Sequence, residues 1–266
     1  MKFDDIDRKM RAFETAHDHR VAPGAHVVAR LDGRGFTRIT RETHKFEAPF
    51  DPRFRDMMVG TMRHLMDVGF RTIYGFTQSD EISLLFHYDD MSFGRKARKI
   101  NSVLAGEASA KFSLLLNDMA CFDCRVSELP AADLVVDYFR WRSEDAHRNA
   151  LNAHCYWTLR KEGLGQSDAT DLLRGMSVPA KNELLIARGI NFNDLPAWHR
   201  RGIGAHWETR PTQGLDPRTN QPVIAARRRL RVEFELPVRD SYSDFIRHLI
   251  CQTGEPEELK LGPVQE

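Results

Sequence analysis

The stretch VARLDGRGF, Val28 to Phe36, decides the fold and raises the first question about function. An apolar run ends at Asp32, and two glycines then flank an arginine. Taken alone, such a stretch is an ordinary tight turn. A strand that ends in a carboxylate followed by Gly33 could also present a metal site, because glycine lets the backbone carbonyl approach closely. The rest of the chain has to distinguish these two interpretations.

The hydrophobic patterns around this stretch predict a β-α-β-β-α-β order. The predicted strands are residues 25–31, 70–76, 81–88 and 120–129, and helices are predicted from Pro52 to Gly69 and over residues 94–118. This order is typical of an α+β fold with a ferredoxin-like sheet. After it we expect a mostly helical extension, a loop over residues 210–222, and a short β element in ARRRLRVEFELPV. The predicted domains are residues 1–130 and 131–266.

The composition fits a soluble globular protein with no membrane partner. The 39 basic and 38 acidic residues nearly cancel, so net charge does not point to a nucleic acid. No apolar run approaches the roughly 20 residues of a membrane helix, and the N-terminal segment lacks the apolar core of a signal peptide. We therefore expect a cytoplasmic location.

The pair Cys121 and Cys124 forms a C-x-x-C motif on a predicted strand. Residues three apart on a strand point to opposite faces, which opposes chelation of one metal ion. Zinc binding or redox chemistry stays open as the less favoured alternative to structural thiols.

Two aspartates are expected to meet at one edge of this sheet. In a ferredoxin-like sheet the first strand runs antiparallel beside the third, so Asp32 after the first and Asp80 before the third lie at the same edge. Carboxylates that close repel each other unless cations lie between them. The sequence therefore predicts catalytic Asp32 and Asp80, which with Gly33 form a site for Mg²⁺. Glu81 is expected to point away from Asp80 and to support the site.

Several cations are candidates for binding the phosphates of a nucleotide. Arg30 and Arg34 flank Asp32 directly. Arg95, Lys96 and Lys99 lie at the start of the second predicted helix, where free N–H groups favour anions. That helix starts at the sheet edge opposite Asp80, and a solvated basic face is the alternative interpretation.

Five motifs occur in series between about residues 25 and 207, namely RLDGRGF, QSDEIS, FDCRV, DYFRWRSEDAHRNALN and KNELL…GINFNDLP. With them the chain resembles the tRNA-His guanylyltransferase superfamily, the 3′–5′ nucleotide polymerases. The resemblance implies a polymerase-like palm, which agrees with the element order above.

The resemblance also implies a chemistry. Two Mg²⁺ ions would serve activation of a tRNA 5′-phosphate by ATP or GTP, followed by attack of a nucleotide 3′-hydroxyl on that end. By position in the motifs, Asp32, Gly33 and Asp80 match metal ligands, and Ser79 matches a nucleotide contact. The matches to triphosphate contacts are Arg30, Lys96 and Lys99, and those to tRNA-handling positions are His147, Lys181 and Asn182. The second half would then bind tRNA, with Arg142 and Arg148 as phosphate contacts, and assemble a homo-tetramer.

Four departures from the eukaryotic pattern replace side chains that contribute there to nucleotide or tRNA handling. Two asparagines of the HRNALNA element are replaced by Ala150 and Ala153, a histidine by Thr37 and a lysine by Ala48. The pattern is more similar to the bacterial and archaeal guanylyltransferase-like branch. That similarity implies template-directed repair of 5′-truncated tRNA, with addition of one G to tRNA-His as the alternative. A nucleotide cyclase on the same palm and a non-catalytic tRNA-binding protein are less favoured.

Overall fold

A computed structural model describes residues 2–215 and 222–252. Its helices are α1 (Phe3–Glu14), α2 (Phe36–Arg38), α3 (Pro52–Leu65), α4 (Ala97–Leu116), α5 (Ala132–Lys161), α6 (Gln166–Leu173), α7 (Val178–Ile186), α8 (Ala197–Arg201) and α9 (Asp240–Cys251). Its strands are β1 (His26–Arg34), β2 (Thr72–Gln78), β3 (Glu81–Phe86), β4 (Cys121–Leu129), β5 (Ile203–Leu215) and β6 (Pro222–Glu233). Within the described ranges, no helix combines the length and the apolar character that a membrane crossing requires.

The strands form one antiparallel sheet in the order β4-β1-β3-β2-β5-β6. The first four strands, with α3 and α4 as crossovers, make the β-α-β-β-α-β unit predicted from the sequence. The predicted α+β class is confirmed. Strands β5 and β6 come from the second half of the chain and extend this same sheet beside β2.

Each face of the sheet has its own hydrophobic cluster. Helices α3 and α4 cover one face, where Ala29 and Leu31 of β1 are buried. Helices α5 and α9 cover part of the other face, where Val28 is buried. Asp32 and Arg34, which share the side of Val28 on β1, lie beyond this cluster at the end of the strand. One end of the sheet therefore presents a polar face.

The C-terminal half differs from the sequence-based prediction in two ways. Residues 203–215 form one long strand, so the first part of the loop predicted over residues 210–222 is strand up to Leu215. Residues 216–221 of that loop lie outside the described residues. The sequence of the long strand contains Pro211 and charged residues, so pairing with β2 and β6 rather than intrinsic preference makes it a strand. Helix α9 was not predicted, although Tyr242, Ile246 and Leu249 are buried at helical spacing.

Candidate active site

The two predicted aspartates come together at the open end of the sheet. Strand β1 pairs with β3 so that Asp32 lies opposite Glu81, and the backbone N–H of Gly33 donates to the carbonyl of Asp80 over 3.1 Å. Asp80 belongs to the two-residue turn between β2 and β3. The structure therefore brings Asp32, Gly33 and Asp80 together from two separate segments of the chain.

The electrostatics of Asp80 reflect this crowding. Burial raises the pKa of its carboxyl above the usual range, and the negative charges of Asp32 and Glu81 raise this pKa further. The Ser79 hydroxyl donates to Asp80 Oδ1 over 3.1 Å and partly offsets these effects. A carboxylate destabilised in this way is stabilised by a bound cation.

Oxygen ligands suit Mg²⁺, and the donors here are two carboxylates and a neighbouring glycine backbone. Among the described residues, no group of three or more histidine, cysteine, aspartate and glutamate side chains is arranged to hold a metal ion. Mg²⁺ commonly completes its shell with water and substrate phosphates. The donor set at Asp32 and Asp80 thus fits Mg²⁺ rather than a closed structural metal site.

Gly33 is required by packing as well as by any backbone ligand role. A Cβ at this position would lie 2.5 Å from Cδ2 of Phe36, and the Phe36 ring is buried against Phe112 and Phe122. The sequence pattern suggested only the backbone carbonyl as the reason for a glycine. The ring of Phe36 supplies a second reason.

The turn that carries Asp80 is held in a strained conformation. Ser79 has a φ of 51°, a left-handed conformation that is uncommon for a residue with a side chain. The side chain of Gln78, just before the turn, donates to the carbonyl of His199 in α8 over 2.9 Å. The second half of the chain therefore helps to fix the position of Asp80.

A chain of ion pairs runs from β1 to α5. Arg30 pairs with Glu81, and Arg142 Nη2 lies 3.7 Å from the other Glu81 oxygen and 2.5 Å from Asp145 Oδ2. The side chain of Arg142 is 5% exposed. The prediction that Arg142 contacts RNA is wrong, because a buried guanidinium bound to two carboxylates cannot meet an external phosphate.

Two site residues were missed by the sequence-based analysis. Asp123 on β4 lies directly opposite Asp32, and cross-strand partners share a face of the sheet. Arg125 Nη2 is 3.6 Å from Asp123 Oδ1 and 4.0 Å from Asp32 Oδ2. The signal was available in FDCRV, since a fourth strand beside the first places its charged residues next to Asp32. Exposed Arg34 lies on the same face, two residues beyond Asp32.

The basic cluster before α4 lies at the opposite end of the sheet. The Arg95 guanidinium is buried and donates to the backbone carbonyls of Ala25, Tyr88 and Asp90. The prediction that Arg95 binds nucleotide is therefore wrong. At roughly 3.3 Å per residue, β1 places about 20 Å between this end and Asp32.

Lys96 and Lys99 lie at the same end of the sheet as Arg95. Lys96 Nζ is 3.4 Å from Asp18, and Lys99 is exposed in the first turn of α4. Within one chain, the structure does not bring either lysine to the phosphates of a nucleotide held at Asp32 and Asp80.

A cleft of about 160 Å³ opens beside the turn that carries Asp80. An apolar cavity of ~150 Å³ binds benzene, so a cleft of this volume has room for one flat ring. Ser79 and Asp80 form one wall. Thr37 and Ala48, two of the departures noted in the sequence, line the cleft together with Trp157 and Trp198.

A wider groove of about 590 Å³ lies next to this cleft and shares Arg41 and Trp157 with it. It runs between α5, α6 and α7, and its lining includes Arg148, Asn149, Asn152, Ala153 and Lys181. Lys181 Nζ donates to Asn152 Oδ1 over 2.9 Å. The structure thus brings together Arg148 and Lys181, two of the predicted RNA contacts.

The other predicted RNA contacts do not line this groove. His147 packs edge-on against Phe192, and burial with Arg200 and Arg201 nearby lowers its pKa. The amide of Asn182 donates to Val178 of its own helix. Ala150 is buried, so of the two alanine substitutions in HRNALNA only Ala153 changes the groove.

Two family models together match most of the chain. The model described as tRNAHis guanylyltransferase matches residues 7–130, and the model described as Thg1 C terminal domain matches residues 133–246. A probable tRNA(His) guanylyltransferase of Drosophila melanogaster is 32% identical over 203 residues, which cover 73% of this chain and 70% of that protein. A probable tRNA(His) guanylyltransferase of Mus musculus is 31% identical over 197 residues, covering 70% of this chain and 66% of that protein.

Solved structures give the same result. A bacterial tRNA(His) guanylyltransferase (Thg1)-like protein in complex with ATP superposes with a TM-score of 0.71 and 26% identity, covering 92% of this chain and 99% of that one. A bacterial tRNA(His) guanylyltransferase (Thg1)-like protein in complex with GTP superposes with a TM-score of 0.69 and 27% identity, with the same coverage of the two chains. The tRNA(His) guanylyltransferase of Saccharomyces cerevisiae superposes with a TM-score of 0.69 and 25% identity, covering 76% of this chain and 92% of that one.

Proposed function

Because this chain belongs to the tRNAHis guanylyltransferase family and is a nucleotidyltransferase, we propose that it adds nucleotides to the 5′ end of a tRNA. The observation that carries the proposal is the meeting of Asp32 and Asp80 at the end of the sheet, beside a cleft that Asp80 also lines. The structural neighbours in complex with ATP and GTP support nucleoside triphosphates as substrates.

Mg²⁺ is the metal that this donor set would take, held by Asp32, Asp80 and the carbonyl of Gly33. When bound, Mg²⁺ supplies Lewis acid chemistry at phosphate oxygens and lowers the pKa of an attacking hydroxyl. The chain's own groups prepare the site. The Ser79 hydroxyl orients the carboxylate of Asp80 by donating to it. The backbone N–H of Gly33 donates to the carbonyl of Asp80 and so fixes the backbone of Asp80.

Substrate binding divides between the cleft and the groove. The cleft would hold the base of the triphosphate, with Arg34 on the carboxylate face as a phosphate contact. Arg30 is already bound to Glu81, so its role is to hold that glutamate and the adjoining strand in place. The groove would bind the tRNA backbone through Arg148 and Lys181, since phosphate contacts position a nucleic acid. The division into a catalytic domain of residues 1–130 and an RNA-binding domain of residues 131–266 stays a prediction.

The reaction is addition of a guanylate to tRNA-His, or template-directed repair of a truncated tRNA. The names of the relatives favour guanylate addition. Ala48, Thr37 and Ala153 favour repair, because they replace hydrogen-bonding groups of the eukaryotic pattern at the cleft and groove. We place guanylate addition first and keep repair as the second candidate. A cytoplasmic location and a homo-tetramer stay predictions.

The test is a 5′-extension assay with Mg²⁺ and the four nucleoside triphosphates. The substrates are tRNA-His without its extra 5′ G and a non-His tRNA that lacks its first nucleotide. Addition to tRNA-His alone supports guanylate addition, and equal extension of both tRNAs supports repair. No extension of either tRNA would refute the proposed function. Nucleotides without RNA, analysed for cyclic or dinucleotide products, are the control for a cyclase.

A further inference from the structure

Arg41 and Trp157 form the boundary between the cleft and the groove, because both residues line both spaces. Arg41 is exposed, and its guanidinium carbon lies over the Trp157 ring, 4.7 Å from the ring centre. A guanidinium stacked on a ring makes this contact with its flat face, and the N–H groups at its edge stay free to donate. The stack therefore presents a cation where the two spaces meet.

The arginines on either side of this boundary are paired with carboxylates. In the cleft, Arg55 Nε lies 2.8 Å from Asp56 Oδ1, and in the groove, Arg148 Nη2 lies 3.3 Å from Asp145 Oδ1. Arg41 forms no ion pair with any carboxylate among residues 2–215 and 222–252. Its guanidinium can therefore bind an anionic group of a substrate without first giving up a partner.

The backbone that carries Arg41 has an uncommon conformation. Residues Ile39–Thr43 form a single π-helical turn, in which the N–H of His44 donates to the carbonyl of Ile39 over 3.0 Å. Such turns are rare, and they occur frequently at functional sites. The turn directly follows α2, whose Phe36 is buried against the end of β1. The packing of Phe36 therefore anchors the turn next to the strand that carries the proposed metal ligands.

The next step rests on the proposed function, in which the groove holds the RNA and the cleft holds the nucleotide. The 5′ end of the RNA then has to reach the cleft past Arg41. A terminal phosphate carries about −1.5 to −2 charges at pH 7, whereas an internal phosphate carries one, and the edge of a guanidinium binds phosphate through two parallel hydrogen bonds. We propose that Arg41, stacked on Trp157, binds the 5′-terminal phosphate of the RNA and positions it for reaction with the nucleotide in the cleft.

Binding of tRNA with and without its 5′-phosphate tests this contact in the absence of nucleotide. In filter binding of the full chain, wild type should prefer the phosphorylated form of tRNA-His without its extra 5′ G about tenfold, and Arg41→Ala should bind both forms equally. Arg41→Lys keeps the charge without the fork of donors and should keep only part of the preference. Arg38→Ala is the matched control, since Arg38 is exposed on α2 and lines neither space. A preference that survives in Arg41→Ala, or that wild type lacks, would overturn the proposal.

Extension kinetics distinguish the RNA phosphate from the phosphates of the nucleotide. Arg41→Ala should raise KM for the tRNA about tenfold and leave KM for GTP within about twofold of wild type. A tenfold rise in KM for GTP, with the 5′-phosphate preference unchanged, would place Arg41 on the nucleotide and overturn the proposal. A wild-type protein that prefers the 5′-phosphate through Arg41 but extends no tRNA would refute the proposed function and support this contact. Unchanged melting temperatures would show that the variants fold.

Discussion

The backbone N–H of Gly33 donates to the carbonyl oxygen of Asp80 over 3.1 Å. This bond fastens the end of β1 to the turn between β2 and β3, and it holds the two proposed metal carboxylates, Asp32 and Asp80, at one end of the sheet. The predictions below follow from what surrounds this junction.

Replacing Asp80 by asparagine should separate activity from stability. Asp80→Asn removes a proposed metal ligand and should lower kcat/KM at least about 100-fold. The melting temperature should stay the same or rise in the absence of metal, because burial and neighbouring charges raise the pKa of this carboxyl and so penalise its ionised form at neutral pH. Thermal melts and extension assays measure both effects.

Mg²⁺ provides the control for this variant. It should raise the melting temperature of the wild-type protein and have a smaller effect on Asp80→Asn. Equal stabilisation of both proteins, or near wild-type activity of the variant, would contradict the metal assignment.

Replacing Gly33 by alanine should destabilise the fold. The new Cβ would lie 2.5 Å from the Phe36 ring, and such overpacking typically costs about 1–3 kcal/mol. Gly106→Ala is the matched control, since nothing lies within 4 Å of a Cβ there and alanine favours the α4 helix by about 0.5–1 kcal/mol. Urea unfolding measures both variants. A Gly33→Ala protein as stable as wild type would show that packing does not require this glycine.

Arg142 and Arg148 should have opposite effects when each is changed to alanine. Arg142→Ala removes a buried guanidinium from the half-buried carboxylates of Glu81 and Asp145, which keep Arg30 and Arg148 as partners, and should cost about 1–3 kcal/mol. Arg148→Ala removes an exposed groove cation, so stability should change by less than about 0.5 kcal/mol while tRNA binding weakens and becomes less salt-dependent. Chemical unfolding and filter binding at several salt concentrations distinguish the two. A stable Arg142→Ala protein with weakened tRNA binding would reverse our assignment.

Acid should destabilise the protein through the buried His154 and the half-buried His199. Burial lowers the pKa of both His154 and His199 from 6.5 to about 4. The unfolded chain therefore binds more protons between these values, and stability that is present above pH 6.5 is lost as pH falls toward 4. For His154 the loss approaches about 3 kcal/mol, at 1.36 kcal/mol per pKa unit.

Unfolding measurements from pH 7.5 to 4.5 detect this effect. His154→Phe should show a flatter stability profile, because Phe packs beside Phe50 and Phe192 without titrating. A profile as steep as that of wild type would assign the acid sensitivity to other groups.

Filling the cleft should impair nucleotide binding. Ala48→Phe places a ring among the cleft residues and should raise KM for the triphosphate at least about tenfold, with little change in melting temperature. Ala187→Phe puts the same ring at an exposed position outside the cleft and serves as the control. Unchanged nucleotide affinity in Ala48→Phe would place the base elsewhere.

Local pattern was sufficient for the first half of the chain. Apolar, strand-forming segments bounded by turns predicted β1 to β4, and the strand order then brought Asp32 and Asp80 to one edge. The same logic failed for β5, whose polar sequence is a strand only because β2 and β6 pair with it. It also failed for Arg142, since a charged helix residue is usually exposed and nothing local indicates that Glu81 and Asp145 surround it.

The sequence by itself determined the palm topology, the family and the junction of Asp32, Gly33 and Asp80, because these follow from periodicity and from motifs in a fixed order. The tertiary structure alone decided which cations are free to meet a substrate. Arg95 and Arg142 are buried by contacts from distant segments, while Arg34, Arg148 and Lys181 stay accessible. The sequence shows which residues are charged. The segments that pack around a charged side chain decide whether it is paired inside the protein or faces the solvent.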